Sequence, residues 1–580
     1  MLPEATGGEG AQIMASEIDR QFGAIMDELT APGGPLECEQ VVRGGIAYPA
    51  FKLAPPSLPA MFAATCAQHG AATFLVDGPV RLSFAETHAL AARAAAGLIA
   101  RHGIAPGDRI GIAARNSANW IILYMATLMA GGCVALLNGW WTGRELAEGI
   151  ALTGCKLVLA DEQRAGRLAG QNCDAQVLVF EHGDPEAGLK KVLANAGDQT
   201  ALPEPAGDDL ATILFTSGST GACKGAWSGQ RSVVQAAMSY AAQSLMVLSW
   251  LTAKGEAPTI QPVALVAIPL FHITAEVPLF LQSFLIGRTL VLMPKWDACE
   301  AMRLIEQEHV TYFVGVPLMS YEIATHPECG NFDLTSCVSF AAGGAPRPVE
   351  HVTQIRENLP HAFPLLGYGL TETNALGCAN FNENYIAKPS STGPVSRPIV
   401  ELAILDDHGR ALPPGVTGEI AFRSIANFGG YWNNPEATAA AVREDGFFLS
   451  GDLGYTDEDG YLFIVDRKKD IIIRGGENIS CIEVEQALYA HPGVAEACVF
   501  GLAHARYGEV PVAVVFAKPD HAIDLEELRA FVAAQIAPFK VPEKIWHESE
   551  PLPRLGTEKV DKRALKARYA DQTSGVTDSP

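Results

Sequence analysis

The segment ILFTSGSTGACKGA (213–226) sets an apolar run against a loop of serine, threonine and glycine with a single lysine, Lys224. Small residues let successive backbone N–H groups converge on phosphate oxygens, and the hydroxyls add donors. The loop is not a Walker A motif, because Cys223 stands where that spacing, counted from Gly218, requires glycine. Taken alone, TSGSTG reads equally well as a surface loop. Three further stretches place small, polar and acidic residues directly after apolar runs: SFAAGGAP (339–346), LLGYGLTET (365–373) and FLSGDLGY (448–455). A bland polar-loop explanation has to be invoked separately for each, and one nucleotide site accounts for all four.

A chain of 580 residues exceeds one ordinary domain, so at least two are expected, with room for a cleft between them. Hydrophobic residues at 48%, charged residues at 18% and a mean hydropathy of +0.13 describe a chain with a substantial core and exclude global disorder. The net charge of −23 has the wrong sign for holding nucleic acid through bulk charge, so an anionic substrate needs a local cluster of bases. The 12 cysteines contain no C-x-x-C pair, which removes zinc-knuckle and dithiol redox readings and leaves scattered reduced thiols. MLPEATGGEG has no basic patch ahead of an apolar run, so a cytoplasmic protein without a secretory signal is expected. Trp120–Leu137 runs 18 residues without a charge and reaches membrane-span length. Gly131 and Gly132 interrupt it, so a buried helix, a turn and a buried strand are expected instead. Val263–Ile273, interrupted by Pro269, is read the same way, and loose attachment to a membrane surface is left open.

The elements that must position these loops follow from periodicity. Apolar runs at 109, 157, 177, 264, 289, 311 and 339 alternate with helical stretches, the pattern of parallel strands covered on both faces. Ser83 and Glu86 form a capping box for a helix ending near Gly103. Residues 1–55 are expected to lie as an extension on the first domain, with an amphipathic piece at Ile18–Leu29. Beyond a polar, turn-rich hinge after Ser450 comes a block with strands at Val494–Phe500 and Val510–Lys518. Its helix puts Leu525, Leu528, Val532 and Ile536 on one face.

TSGSTGACKG, PLFHIT, GYGLTET, GYWNNPEAT, SGDLG, DRKKDIIIRGGENIS and PRLGTEKVDK occur in one order along residues 60 to 567. In these motifs the chain resembles the adenylate-forming superfamily of acyl-CoA synthetases, nonribosomal adenylation domains and firefly luciferase. The resemblance implies an α/β fold with a large N-terminal domain (56–466) of doubly wound mixed sheets and a small β-barrel-like subdomain. A small mobile α+β C-terminal domain (467–570) and a disordered tail (571–580) complete the expectation. It also implies the reaction: a carboxylate attacks the α-phosphorus of ATP, pyrophosphate leaves, and a thiol attacks the mixed anhydride. All reactants are anions, so positioning and charge neutralisation should dominate.

The resemblance implies that Thr216, Ser217, Gly218, Ser219, Thr220 and Gly221 cradle the β- and γ-phosphates, with Lys224 nearby. Cys223 replaces the family's usual proline, which makes the loop less stiff. Glu372 matches the Mg²⁺ ligand and Thr371 a donor to the α-phosphate. Gly344, Ala345, Pro346, Gly367, Tyr368 and Gly369 match the adenine slot, with Tyr368 as stacking face. Asp452 matches the acceptor of the ribose hydroxyls and Arg467 its partner. Lys469 matches the interdomain hinge, within a run whose Lys468 reads as solvated charge. Lys559 matches the lysine that reaches the carboxylate and α-phosphate, although Glu558 replaces the usual preceding glycine. Gly475 and Gly476 match the wall of a pantetheine channel after domain rotation. His272 is read as a gate residue at the thiol and acyl entrance rather than a core histidine. Tyr431 and Trp432 are taken as packing aromatics outside the site.

The expected acyl pocket, Phe271–Thr274, Val314–Met319, Phe340–Gly343 and the segment after Thr373, contains no lysine or arginine among the named residues, which points to a hydrophobic monoacid. The resulting expectation is an ATP-, Mg²⁺- and CoA-dependent acid–thiol ligase with a fatty acid as first substrate. Arylalkanoic, alicyclic and steroid-side-chain acids follow as alternatives. A freestanding enzyme that loads a carrier protein and a catalytically degenerate acyl-binding protein are the rival readings. Nucleic acid and an integral membrane segment are excluded as partners, and a homodimer is left open.

Overall fold

Short Val-, Ile- and Leu-rich runs without polar alternation are stable as strands only where both faces are covered, and the chain places them there. The computed structural model describes residues 7–195, 200–217, 223–518, 521–555 and 559–570. One sheet runs Gln176–Phe180, Leu157–Asp161, Arg109–Ala113, Cys133–Leu136 and Leu210–Ser217, all parallel. Two antiparallel strands, Cys223–Gly229 and Gly430–Tyr431, extend it. A second sheet is parallel from Thr73–Asp77 through Thr289–Leu292, Val263–Val266, Tyr312–Gly315 and Ser339–Gly343 to Phe363–Gly369. Its edges, Val80–Ser83 and Gly377–Asn380, are antiparallel. Every strand anticipated from the alternation is present.

The 18-residue apolar run resolves as expected. Ala118–Met129 is a helix whose twelve residues are all buried, which is why its sequence is apolar all round. Gly131, at φ +76°, turns the chain into the buried strand Cys133–Leu136. The Ser83–Glu86 capping box opens the helix Phe84–His102, which Gly103 ends in the left-handed conformation. After His272 the helical course is irregular: Glu276–Leu281 is a π-turn that includes Pro278, which has no N–H to donate.

Val400–Leu405, Gly418–Ser424, Phe448–Thr456 and Leu462–Arg467 form a four-stranded antiparallel sheet in the place of the expected β-subdomain. From Ile472 onward the chain builds a separate five-stranded sheet around its own core, in which Val484, Leu488, Val499, Val515, Leu528 and Val532 meet. The N-terminal extension is a helix, Gly7–Thr30, and a hairpin, Cys38–Arg43 with Ile46–Phe51. It lies on the large domain. Asp19 accepts hydrogen bonds from Asn384 Nδ2 (2.7 Å) and Tyr461 Oη (2.8 Å), and Arg43 donates to the carbonyls of Asn427 (3.0 Å) and Phe428 (3.2 Å).

All 12 cysteines are free. Among the described residues no helix is long and apolar enough to cross a membrane. The tail expected at 571–580 lies outside the described residues.

Candidate active site

The parallel strands Ser339–Gly343 and Phe363–Gly369 lie side by side and end together in glycines, with Gly343 opposite Gly367. Ligands of open α/β sheets collect at such carboxyl ends. A Cβ built on Gly367 meets nothing within 4 Å, so the backbone there faces open space. Gly369 is different: a Cβ would stand 2.0 Å from the carbonyl oxygen of Ala375. Its glycine is required by the chain's own tight return. Gly344 adopts φ +79° and starts the turn through Ala345 and Pro346.

Beside these glycines Asp452 lies almost fully buried. Strand pairing sets it directly opposite Arg467, whose Nε is 3.2 Å from Oδ1, and Tyr368 Oη donates to Oδ2 at 2.7 Å. Burial pushes the Asp452 carboxyl up, and the charge of Arg467, the Tyr368 hydrogen bond and Lys559 pull it back. The hydroxyl of Tyr368 is thus committed to the acid, and its ring packs at a tilt against Phe422 with centroids 5.8 Å apart.

Lys559 reaches this cluster from the C-terminal segment. A Cβ on Gly344 would stand 3.4 Å from its Cε and 3.7 Å from its Nζ. Burial and the like charge of Arg467 lower the ammonium pKa to about 8, against the opposing pull of Asp452. His272 shares the neighbourhood: its Nδ1 accepts the backbone N–H of Thr274 at 3.3 Å, and burial with the Lys559 charge holds the imidazole near 3. It is therefore neutral at physiological pH, which suits a gate and removes it as a proton donor.

A second cluster surrounds Glu372, which is buried in the short helical turn Thr371–Thr373. Tyr431 Oη donates to Oε1 of Glu372 at 2.7 Å, and Lys224 Nζ lies 4.7 Å from the centre of the same ring. Burial raises the Glu372 carboxyl, opposed by the Tyr431 hydrogen bond and by the charges of Arg467 and Lys224. Arg467 thus acts on both clusters. The reading of Tyr431 as a mere packing aromatic is corrected by this bond. Nothing local in the sequence announces it, because the partners are 59 residues apart; the available signal was that a buried motif carboxylate needs a donor. Trp432 does pack, over Arg109.

Of the phosphate-loop residues, Thr216 and Ser217 end the strand Leu210–Ser217 and Lys224 lies on the return strand Cys223–Gly229. Gly218, Ser219, Thr220 and Gly221 lie outside the described residues, as does Glu558. The exposed Cys223 thiol points to the carbonyl of Thr216 at 3.5 Å. Lys469 occupies the turn between Leu462–Arg467 and Ile472–Arg474 and is exposed. Lys468 is not simply solvated, since it pairs with Glu419 at 3.1 Å. Gly475 and Gly476 form an exposed hairpin tip, with Gly475 N bonded to Tyr507 O at 2.7 Å. Their neighbour is thus a residue of the small domain itself.

Among the described residues no three His, Cys, Asp or Glu side chains converge on one point, so no all-protein metal cage is present. A buried carboxylate with one oxygen engaged by a hydroxyl fits a hard ion that takes its remaining ligands from phosphate and water.

Comparison with known proteins agrees with this geometry. Residues 62–432 match the family model described as AMP-binding enzyme, and residues 483–559 match the AMP-binding enzyme C-terminal domain. A feruloyl-CoA synthase of Amycolatopsis sp is 33% identical over 86% of this chain and 96% of its own length. A long-chain-fatty-acid–CoA ligase of Bacillus subtilis is 32% identical over 80% of this chain and 86% of its own. The solved structure of ATP-bound MatB from Rhodopseudomonas palustris superposes with a TM-score of 0.78 at 30% identity, over 89% of this chain and 99% of that one.

Proposed function

Because the chain belongs to the AMP-binding enzyme family of adenylate-forming acid–thiol ligases, we propose that it joins a hydrophobic monocarboxylic acid to CoA through an acyl-adenylate. The observation that carries this reading is the insertion of Lys559, from the C-terminal segment, against Gly344 and beside Asp452 and Arg467, which face each other on neighbouring strands of the four-stranded sheet.

In the first step a carboxylate oxygen bonds to the α-phosphorus of ATP and the bond to pyrophosphate breaks. Asp452 would accept the ribose hydroxyls, held in place by Tyr368 and Arg467, and the open backbone at Gly367 would admit the base. Thr216, Ser217, the loop 218–221 and Lys224 would receive the β- and γ-phosphates, and Thr371 the α-phosphate. Lys559 would meet the charge that develops between carboxylate and phosphorus, a task suited to a point charge on a flexible stem. Glu372 would hold Mg²⁺, which when bound neutralises phosphate oxygens. In the second step the thiol sulfur of CoA bonds to the acyl carbon, the acyl–phosphate C–O bond breaks so that AMP leaves, and the thiol proton passes to water. Rotation about Lys469 would withdraw Lys559 and bring Gly475 and Gly476 to the thiol channel. The residues proposed for the acyl pocket, among them Phe271, Val314, Met319 and Phe340, are buried and apolar, which supports a hydrophobic acid without a second charge.

The test is pyrophosphate release with fatty and arylalkanoic acids, with and without CoA. Acyl-CoA formed with one of these classes is the expected result. Pyrophosphate without CoA thioester would favour a carrier-protein loader, and no pyrophosphate with any acid would overturn the reading.

A further inference from the structure

The bond between Tyr431 and Glu372 ties together two parts of the site that the sequence keeps far apart. The backbone of Tyr431 is fixed on three sides. Gly430–Tyr431 pairs with Cys223–Gly229, the strand that carries Lys224, in the register Ala226↔Tyr431. Trp432 N donates to Gly225 O at 2.6 Å, and Tyr431 N donates to Thr438 Oγ1 at 2.9 Å. The ring meets the edge of Phe428 at 5.1 Å, and Phe428 N in turn donates to the Glu372 carbonyl at 2.8 Å. A side chain so restrained has little freedom of its own, and its hydroxyl proton is spent on one oxygen of Glu372. Its ring face carries the Lys224 ammonium, an attraction of cation to aromatic quadrupole.

We propose that Tyr431 is a positioning residue: it fixes the Glu372 carboxylate so that the oxygen not bonded to it is presented to a divalent cation, and it holds Lys224 at a set distance from that cation. The proposal rests on the reading of Glu372 as the Mg²⁺ ligand. Groups that orient a metal ligand without touching the metal typically govern 10- to 100-fold of metal affinity.

The test uses the full-length enzyme with Mn²⁺ as the spectroscopic probe and a non-hydrolysable ATP analogue. Mn²⁺ binding is read by electron paramagnetic resonance. Tyr431→Phe deletes the hydroxyl and keeps the ring, so Mn²⁺ affinity in the ternary complex should fall by about 10-fold or more. Glu372→Gln should fall at least as far. The double variant should be no weaker than Glu372→Gln, because the hydroxyl acts through the carboxylate. The circular dichroism spectrum and melting temperature of Tyr431→Phe in the absence of ligands should match those of the parent, which shows that the variant is folded. Unchanged Mn²⁺ affinity in Tyr431→Phe, with Glu372→Gln impaired, would overturn the proposal and leave Tyr431 as packing. Mn²⁺ binding unaffected by Glu372→Gln would instead overturn the assignment of the metal ligand on which the proposal rests.

Discussion

The two sides of the site are built differently. On the large-domain side the polar groups are bonded to one another before any ligand arrives: Asp452 to Tyr368 and Arg467, Glu372 to Tyr431, with strand pairing behind both. On the small-domain side Lys559 makes no ion pair within 4 Å among the described residues, although its backbone oxygen accepts from Leu555 N at 2.7 Å. A preformed half can bind a nucleotide with little reorganisation. A lysine held by no ion pair can leave once its step is finished. The contrast teaches that fixed groups here are candidates for binding and the loosely held one for following charge.

The largest expected effect comes from breaking the fixed half. Asp452→Asn removes the charge shared with Arg467 and the proposed ribose contact, and kcat/KM for ATP should fall roughly a hundredfold, about 3 kcal/mol. Because the acyl-adenylate carries the same ribose, its use with CoA should suffer too; loss confined to the first step would break the comparison. Next, Lys469→Pro should restrict the proposed hinge, slowing the CoA step roughly tenfold more than the adenylation step in separate single-turnover assays. Equal slowing would remove Lys469 from that role.

Smaller is the effect of pH. With the Lys559 ammonium at about 8, its charge is lost as pH rises through that value, and kcat/KM for ATP should fall about tenfold per unit above it. Its neighbour His272, held near 3, stays neutral throughout. Lys559→Arg keeps the charge, so its residual activity should lack that fall; a fall at the same pH would assign it to another group. Last, the fixed half carries a cost of its own. Glu276 is completely buried on the helix after His272, accepts from Tyr124 Oη at 2.7 Å, and burial raises its pKa from 4.5 to about 7. The folded chain keeps a proton that the unfolded chain has released, so stability is full below about 4.5 and declines by about 3 kcal/mol as pH rises to 7. Glu276→Gln should flatten this dependence in thermal melts and exceed the parent's Tm at pH 8. Parallel curves for both proteins would show that Glu276 is ionised in the fold.

These contrasts also explain what could be read in advance. The parallel strands and the buried helix Ala118–Met129 were legible because burial on both faces leaves an apolar run with length and glycine punctuation. Glu372, Asp452 and Lys559 were legible because each sits in a short motif. Their partners were less so. Tyr431 is an aromatic in a loop of aromatics, and only the pairing of Gly430–Tyr431 with the strand bearing Lys224 brings it to Glu372. Arg43 grips the carbonyls of Asn427 and Phe428 across 384 and 385 residues, a contact no local pattern encodes. The glycines mislead in the same way: Gly367 and Gly369 look equivalent in sequence, yet one faces open space and the other its own backbone.

The central claim is that a lysine from a withdrawing domain serves one chemical step at a site whose other parts serve both. Lys559→Ala, assayed separately for pyrophosphate release from ATP and acid and for thioester formation from supplied acyl-adenylate and CoA, tests it most directly. The account predicts that the first rate collapses and the second is preserved. Equal loss of both, or preservation of pyrophosphate release, would contradict it.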